Sequence, residues 1–223
     1  MKRTEKRMKY YNLSENIIAC KDFLPQQKVE ELYTDLLNNR NRFNISKWGN
    51  QEKDGVKTAT GHFLSSRCTG LDFWMNWEVA QKDSSFIAFL KEWFFHQGFY
   101  YYAEKNGSSA FNFMCAAKED GGSLFWKIHV VSYNNGGYYN WHRDAGKNLF
   151  TFNLILNKGD KLEGGNMLFM DNGKIIEVEN QDNFMVVIPS FIPHAITPLY
   201  SKNNKEVSFL EQRFSLQFWV GLL

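Results

Sequence analysis

The sequence has few cysteines, few prolines, no long apolar run and almost no excess of charge. Its three cysteines, Cys20, Cys68 and Cys115, are far apart and odd in number. They form neither a disulfide framework nor a zinc knuckle, and are typical of reduced thiols in a cytosolic protein. No apolar stretch approaches the roughly 18–20 residues of a membrane span, and no apolar signal-peptide segment follows the basic N-terminus. We therefore expect a cytoplasmic protein with no membrane partner.

The near balance of charge argues against one large class of partner. The 26 Lys and Arg residues stand against 24 Asp and Glu residues, which gives a net charge of +2. Proteins that bind mainly phosphate backbone normally carry a strong basic excess, so we expect no nucleic-acid partner. The 223 residues fit one domain, and a hydrophobic fraction of 43% is enough for a packed core.

The first half of the sequence carries helical patterns. Between Pro25 and Arg40, apolar residues recur at offsets of three and four, which predicts an amphipathic helix. These apolar residues are Val29, Leu32, Tyr33, Leu36 and Leu37. A polar stretch over residues 38–61 predicts a loop and is a candidate lid. Ser84 or Ser85 is expected to begin a second helix, rich in aromatic residues.

From Leu124 onward the pattern changes to short apolar or alternating runs. At least six such runs follow one another, separated by turn signals such as NNGG, NKGD and DNGK. Strands at this spacing, with helices only upstream, favour an antiparallel sandwich or jelly roll over a parallel α/β sheet. Because jelly rolls serve many unrelated functions, the function must be argued from a site.

Three side chains form a candidate metal site. His142 and Asp144 are two residues apart, so in an extended segment both point to the same face and reach one ion. His194 offers a third ligand. Two imidazoles and one carboxylate form a facial triad, which suits Fe(II) and leaves three positions open. A zinc hydrolase could use the same ligand types with a nearby glutamate as base, and the nearest following one, Glu163, lies in a turn-like segment.

An arginine on the last strand suggests an anion site. Arg213 and Ser215 share one face of this strand, and if that face points inward the guanidinium is buried. A buried guanidinium is costly unless an anion meets it, and its planar fork matches a carboxylate. Together with a three-ligand iron site, this implies a dicarboxylate co-substrate that chelates the metal with one end. A structural salt bridge to a carboxylate inside the barrel is the alternative.

At this point the sequence resembles a known family, the iron- and 2-oxoglutarate-dependent dioxygenases, and specifically the prolyl 4-hydroxylase-like branch. The resemblance spans about residues 123–219 and consists of an ordered series of short pieces. In chain order, the pieces are Tyr133 before a glycine turn, His142-Arg143-Asp144, Glu163-Gly164-Gly165, Pro189-Ser190 before His194, Thr197-Pro198, and Arg213-Phe214-Ser215.

The resemblance implies a fold and a set of ligands. The expected fold is mainly β with N-terminal helices: a double-stranded β-helix (jelly roll, cupin-like) packed against helices. The chain is expected to be a single domain over 1–223, with a helical support region at 1–122 and the core at 123–223. Fe(II) would be held by His142, Asp144 and His194, and these residues would be catalytic. Arg213, with Ser215 and Tyr133, would bind 2-oxoglutarate; O2 is the other co-substrate, and ascorbate is expected to support activity.

The resemblance also implies a reaction, the hydroxylation of an unactivated C–H with release of succinate and CO2. The expected substrate is a prolyl or other residue of a protein or peptide. Four residues flank the proposed iron and are candidates for the substrate channel: Tyr139, Trp141, Arg143 and Trp219. Many members place a tyrosine on the strand after His-x-Asp, and this chain has Ile155 near that position.

Two alternatives stay open at this point. The same oxygenase chemistry could act on a free amino acid or another small molecule, which would need a closing lid where a peptide needs an open groove. A non-catalytic jelly-roll binding module that merely retains metal belongs to another class, and it would turn over no 2-oxoglutarate. The sequence predicts no oligomeric state.

Overall fold

The computed structural model describes residues 9–45, 56–57, 63–64, 66–67, 69–73, 124–144, 146, 148–159, 161–204 and 207–222. Within these residues lie one α-helix, α1 (Gln26–Asn38), and a series of strands. The strands are β1 (Lys9–Asn12), β2 (Ile18–Lys21), β3 (Asn44–Ile45), β4 (Val56–Lys57), β5 (Phe63–Leu64), β6 (Ser66–Arg67), β7 (Thr69–Phe73), β8 (Leu124–Tyr133), β9 (Tyr138–His142), β10 (Asn148–Leu156), β11 (Leu162–Gly164), β12 (Met167–Asp171), β13 (Lys174–Val178), β14 (Phe184–Pro189), β15 (His194–Ile196), β16 (Leu199–Ser201) and β17 (Arg213–Leu222). The second helix predicted from Ser84 or Ser85 lies outside the described residues.

Most of the strands belong to two sheets. The major sheet has eight strands in the order β1-β2-β14-β10-β17-β8-β7-β3, and the minor sheet has five in the order β13-β12-β15-β9-β6. The pairs within both sheets are antiparallel. Strands far apart in the chain are neighbours, as when β10 lies between β14 and β17. The predicted jelly roll is confirmed.

Two apolar clusters hold this architecture together. The first lies between α1 and the outer face of the major sheet, and it includes Val29, Leu32 and Leu36 together with side chains of β10 and β17. The second lies between the two sheets and includes Val131, Ile155 and Phe169. The helix begins after Pro25, as the sequence predicts, because a proline at this position lacks only an N–H that the first turn would leave unpaired. Leu37, predicted on the buried face, is instead exposed.

The described parts of residues 1–122 are not purely helical. They hold α1, but β1 and β2 also extend the major sheet through β14, and β7 extends its other side next to β8. Ile18, Ala19 and Cys20 are almost completely buried, and a short apolar run of this kind has no period that separates a strand from a helix. Among the described residues, no helix has the length and apolar character that a membrane crossing requires.

Candidate metal centre and anion site

Three predicted ligands come together where β9 and β15 meet. His142 is the last residue of β9, His194 is the first residue of β15, and antiparallel pairing sets the two opposite each other. Asp144 follows two residues after His142. One ligand atom from each of these side chains lies within 4.8 Å of the others. Of the residues that the structure describes, these are the group that could hold a metal ion.

Backbone contacts orient both imidazoles toward the carboxylate. Nδ1 of His142 lies 2.8 Å from the Asn140 carbonyl oxygen, and Nδ1 of His194 lies 3.0 Å from that of Ile192. A carbonyl only accepts, so each Nδ1 carries a proton, and Nε2 is the nitrogen of each ring that can bind a metal. These Nε2 atoms lie 3.7 Å and 3.4 Å from the Asp144 carboxylate oxygens. The arrangement therefore directs two imidazole nitrogens and one carboxylate to a common point.

Burial and mutual charge set the protonation of these groups. Burial, together with neighbouring His194, lowers the pKa of His142 to about 4. Burial alone would raise the pKa of Asp144, but the charges and hydrogen bonds of its neighbours outweigh burial and hold that pKa well below its usual range. For His194, burial acts to lower the pKa, and the Asp144 charge overcomes it and raises the pKa. His142 is thus neutral and Asp144 ionised at neutral pH, as metal coordination requires.

Neighbouring side chains hold the carboxylate in place. The Thr151 hydroxyl on β10 donates to Asp144 Oδ2 at 2.8 Å. Its oxygen is then left to accept from the Ser190 hydroxyl, 3.0 Å away, because the Thr151 proton is already used. Asn148 Nδ2 donates to the Asp144 backbone carbonyl at 2.8 Å. The indole of Trp219 lies beside the same carboxylate and helps to lower its pKa. Such contacts fix the orientation of a metal ligand.

The donor set fits Fe(II). Neutral imidazole and carboxylate are the ligands of the facial triad, in which three positions stay open. His194 Nε2 is buried and makes no well-aligned hydrogen bond in the described part of the chain. A metal ion would give this buried nitrogen a partner. Glu163, considered as the base of a zinc hydrolase, is exposed on β11 and is not part of this cluster.

Arg213 is buried in the barrel with much of its hydrogen-bonding capacity unused. The residue is 0% exposed, and its Nη1 donates to Ser215 Oγ at 2.5 Å. Among the described residues, its Nε and Nη2 have no hydrogen-bond partner and no carboxylate forms an ion pair with it. Burial lowers its pKa to about 10, so the guanidinium still carries its charge at neutral pH. The described residues thus lack the internal salt bridge that was the structural alternative, and the donors are left for an anionic ligand.

The residues around Arg213 shape its surroundings. Its guanidinium lies over the ring of Tyr133, 5.1 Å from the ring centroid, so Tyr133 and Ser215 both contact it. Their role as hydrogen-bond donors to 2-oxoglutarate stays a prediction. Gly165 has a φ of 71°, and a Cβ at this position would come within 3.1 Å of Arg213 Cδ and closer still to Leu199. The glycine corner between β11 and β12 therefore lets the chain pass close to the arginine.

The four predicted substrate residues occupy two kinds of position. Tyr139 is buried, and its ring lies 4.2 Å from that of His142 between centroids. Trp219 is buried beside Asp144 and stacks on His129. Trp141 and Arg143 are exposed. The structure thus brings Tyr139 and Trp219 against the candidate metal site and leaves the other two at the surface. The substrate-binding role of all four stays a prediction.

Sequence reasoning missed several polar residues on the inner face of the major sheet. Thr151 and Asn153 lie on β10, Gln217 lies on β17, and His129, which the sequence analysis does not single out, lies on β8. All are buried, and Ser190 is buried next to Thr151. The signal that could have found them is the alternation within β10 and β17, in which polar residues at 151 and 153, and at 213, 215 and 217, are separated by apolar ones.

Comparison with known proteins agrees with this geometry. Residues 128–221 match the sequence model of the 2OG-Fe(II) oxygenase superfamily. No curated protein matches the chain in sequence.

Similar solved structures include three prolyl hydroxylases. A Pseudomonas putida prolyl-4-hydroxylase is 16% identical with a TM-score of 0.57, and the match covers 92% of each chain. A Trichoplax adhaerens prolyl hydroxylase, in complex with a hypoxia inducible factor peptide fragment, is 14% identical with a TM-score of 0.61 over 93% of this chain and 84% of that one. A viral collagen prolyl hydroxylase from Paramecium Bursaria Chlorella virus-1 is 11% identical with a TM-score of 0.53, over 93% and 97%.

At these identities the structural likeness shows a shared fold alone, and the sequence match is limited to residues 128–221. The match covers β9, β15 and β17, and so includes the three candidate ligands and Arg213. Residues 128–221 thus resemble the 2OG-Fe(II) oxygenase superfamily, and this resemblance implies Fe(II), 2-oxoglutarate and O2 as cofactor and co-substrates.

Proposed function

We propose that this protein is an Fe(II)- and 2-oxoglutarate-dependent dioxygenase that hydroxylates a prolyl or other residue of a protein or peptide. The observation that carries the proposal is the pairing of two features inside one barrel. One is the cluster of His142, Asp144 and His194, and the other is a buried Arg213 whose Nε and Nη2 have no partner among the described residues. A metal ion alone would explain the first feature but not the second, whereas a dicarboxylate bound to that metal explains both.

Each residue has a definite part in this proposal. The Nε2 atoms of His142 and His194 and the Asp144 carboxylate would hold the metal, because their donor atoms already converge. Arg213 would bind the distal carboxylate of 2-oxoglutarate, and Ser215 would orient the guanidinium through the hydrogen bond that it accepts. Their burial keeps water from competing for these contacts. When bound, the iron with 2-oxoglutarate and O2 supplies the oxidising power that converts a C–H into a C–OH, with succinate and CO2 as products.

Support for a peptide substrate comes from the solved structures that share the fold. Three of them are prolyl hydroxylases, and one was determined with a peptide fragment bound. Tyr139, in contact with His142, offers an aromatic surface suited to an aliphatic ring. We therefore place a peptidyl substrate ahead of a free small molecule.

The deciding experiment is a turnover assay on purified protein. The protein is incubated with Fe(II), ascorbate, 2-oxoglutarate, O2 and a library of proline-containing peptides. Succinate release and peptides heavier by one oxygen atom are then followed by mass spectrometry. We expect both products, with succinate release stimulated by the peptides that gain oxygen. A parallel reaction with free amino acids in place of peptides identifies the small-molecule alternative, because oxygen would then appear only there.

Asp144→Ala is the matched control, since it removes the charged ligand. We expect it to abolish succinate release, because two imidazoles bind iron weakly without the carboxylate, and to keep the circular-dichroism spectrum of the native protein. Succinate release that persists in Asp144→Ala would contradict the ligand assignment. Iron binding by the native protein without any succinate release would contradict the proposed enzyme and favour a non-catalytic binding module.

A further inference from the structure

One buried side chain on the inner face of the major sheet is left unpaired by every contact described above. Asn153 lies in the middle of β10 and is 2% exposed. Its Oδ1 and its Nδ2 both lack a hydrogen-bond partner in the described part of the protein. A buried carboxamide normally pairs both atoms, because leaving a donor and an acceptor unpaired away from water destabilises the fold. Asn153 therefore needs an explanation beyond packing.

The direction of the Asn153 side chain follows from the alternation of β10. Phe152 and Leu154 on either side of it belong to the apolar cluster that packs against α1. Thr151 bonds to Asp144, and Ile155 belongs to the apolar cluster between the two sheets. Successive side chains of a strand point to opposite faces, so Asn153 points into the barrel with Thr151 and Ile155.

The register of the sheet places Asn153 between the candidate metal site and Arg213. Thr151 pairs with Trp219, and both of these lie against Asp144. Asn153 and Gln217 form the next pair of inward-pointing residues along the two strands. Ile155 and Ser215 form the pair after that, and Ser215 accepts a hydrogen bond from Arg213. A molecule that reaches from the metal ligands to Arg213 must pass the row of Asn153 and Gln217.

We propose that Asn153 is a further binding residue for 2-oxoglutarate, whose oxygen atoms accept a hydrogen bond from Nδ2. This inference rests on the function proposed above. The co-substrate carries oxygen atoms at both ends and two methylene groups between them, so we expect Nδ2 to donate to an oxygen of the end that lies nearer to Asn153. Binding would thus give Asn153 Nδ2 a hydrogen-bond partner. Part of the affinity would come from removing the free-energy cost of an unpaired buried donor.

The test measures binding rather than turnover. Protein loaded with Mn(II) in place of iron is titrated with 2-oxoglutarate in a calorimeter under anaerobic conditions, and the thermal unfolding midpoint of the metal-free protein is measured in parallel. For Asn153→Leu we expect the dissociation constant of 2-oxoglutarate to rise about tenfold, as for the loss of one hydrogen bond to a charged group. We expect its unfolding midpoint to stay the same or rise, because an unpaired carboxamide has been replaced by an apolar group of similar size.

Two further variants separate a binding role from a structural one. Asn153→Thr keeps a hydroxyl donor on a side chain that suits a strand, and we expect it to restore part of the affinity. Asn183→Gly removes a buried carboxamide that is fully used, since it bonds to the backbone N–H and carbonyl of Leu24 at 2.8 Å each. Glycine also suits the positive φ of 52° at this position. We expect Asn183→Gly to lower the unfolding midpoint and leave the affinity unchanged.

These measurements distinguish failure of the inference about Asn153 from failure of the proposed function. Unchanged 2-oxoglutarate affinity in Asn153→Leu overturns the inference, and so does a loss of affinity that comes with a lower midpoint and is not restored in Asn153→Thr. If the native Mn(II)-loaded protein itself fails to bind 2-oxoglutarate, the proposed function fails instead. Native binding that Asn153→Leu weakens and Asn153→Thr partly restores supports both.

Discussion

The two faces of strands β10 and β17 are equally buried but chemically opposite. Toward α1 the strands present a row of aromatic and aliphatic side chains, such as Phe150, Phe152, Phe214 and Phe218. Toward the minor sheet the same strands present polar and charged side chains, namely Thr151, Asn153, Arg213, Ser215 and Gln217.

The difference separates the face that stabilises the fold from the face that we propose to bind a ligand. Apolar side chains gain free energy from burial alone, so the face toward α1 needs nothing but neighbours. Buried polar side chains gain nothing unless they are paired, and on the inner face Arg213 and Asn153 have atoms with no hydrogen-bond partner among the described residues. We infer that the inner face is incomplete without its ligand. Substitutions on the two faces should therefore change different measurements.

The largest effect is expected on the apolar face, from Phe152→Ala. Phe152 is buried and packs edge-on against Phe218, with 6.0 Å between ring centroids. Loss of its ring leaves a cavity, so we expect the free energy of unfolding to fall by about 4 kcal/mol. Urea unfolding followed by circular dichroism measures this fall. The affinity of the folded, Mn(II)-loaded protein for 2-oxoglutarate should not change.

Ile175→Ala is the control, because Ile175 is 63% exposed and its truncation should leave the unfolding curve nearly unchanged. If Ile175→Ala lowered the free energy of unfolding as much as Phe152→Ala, the apolar face would not be what stabilises the fold.

Arg213→Leu tests the polar face and should give the reverse result. Removal of the guanidinium takes away the anchor of the distal carboxylate, so we expect the 2-oxoglutarate concentration for half-maximal turnover to rise about 100-fold. The unfolding midpoint should stay the same or rise, because an unpaired buried charge is replaced by an apolar side chain. Succinate release as a function of 2-oxoglutarate concentration measures the first quantity. An unchanged requirement, or a large loss of stability, would assign Arg213 to the scaffold.

A smaller effect is expected from Thr151→Val, which removes one hydroxyl and keeps the shape of the side chain. Asp144 then loses a hydrogen bond of 2.8 Å, and the carboxylate is held less firmly. We expect the affinity for Mn(II) to fall about tenfold, as is usual when a contact that orients a metal ligand is lost. Metal titration by calorimetry measures it, with Thr151→Ser as the variant that keeps the donor. If Thr151→Ser and Thr151→Val weaken metal binding equally, the hydroxyl has no orienting role.

Local pattern in the sequence determined much of what this protein is. The offsets of three and four after Pro25 predict α1, and the alternating runs after residue 123 predict the strands of the jelly roll, because both depend on backbone periods that a short segment reveals. The His-x-Asp pair, His194 and Arg213 are likewise recognisable as residue types in a fixed order. Their order along the chain predicts a shared site without showing that the side chains meet.

Tertiary structure alone decided the rest, since it depends on which distant segments pair. Residues 142 and 194 face each other only because β9 and β15 are neighbours in the minor sheet. Ile18 and its neighbours form a strand only because β14 offers an edge for pairing. The polar alternation of β10 and β17 would ordinarily predict an exposed face, and closure of the minor sheet over it buries these groups instead. Burial turns ordinary polar residues such as Asn153 into candidate binding groups, because only a group removed from water must find its partner in a ligand.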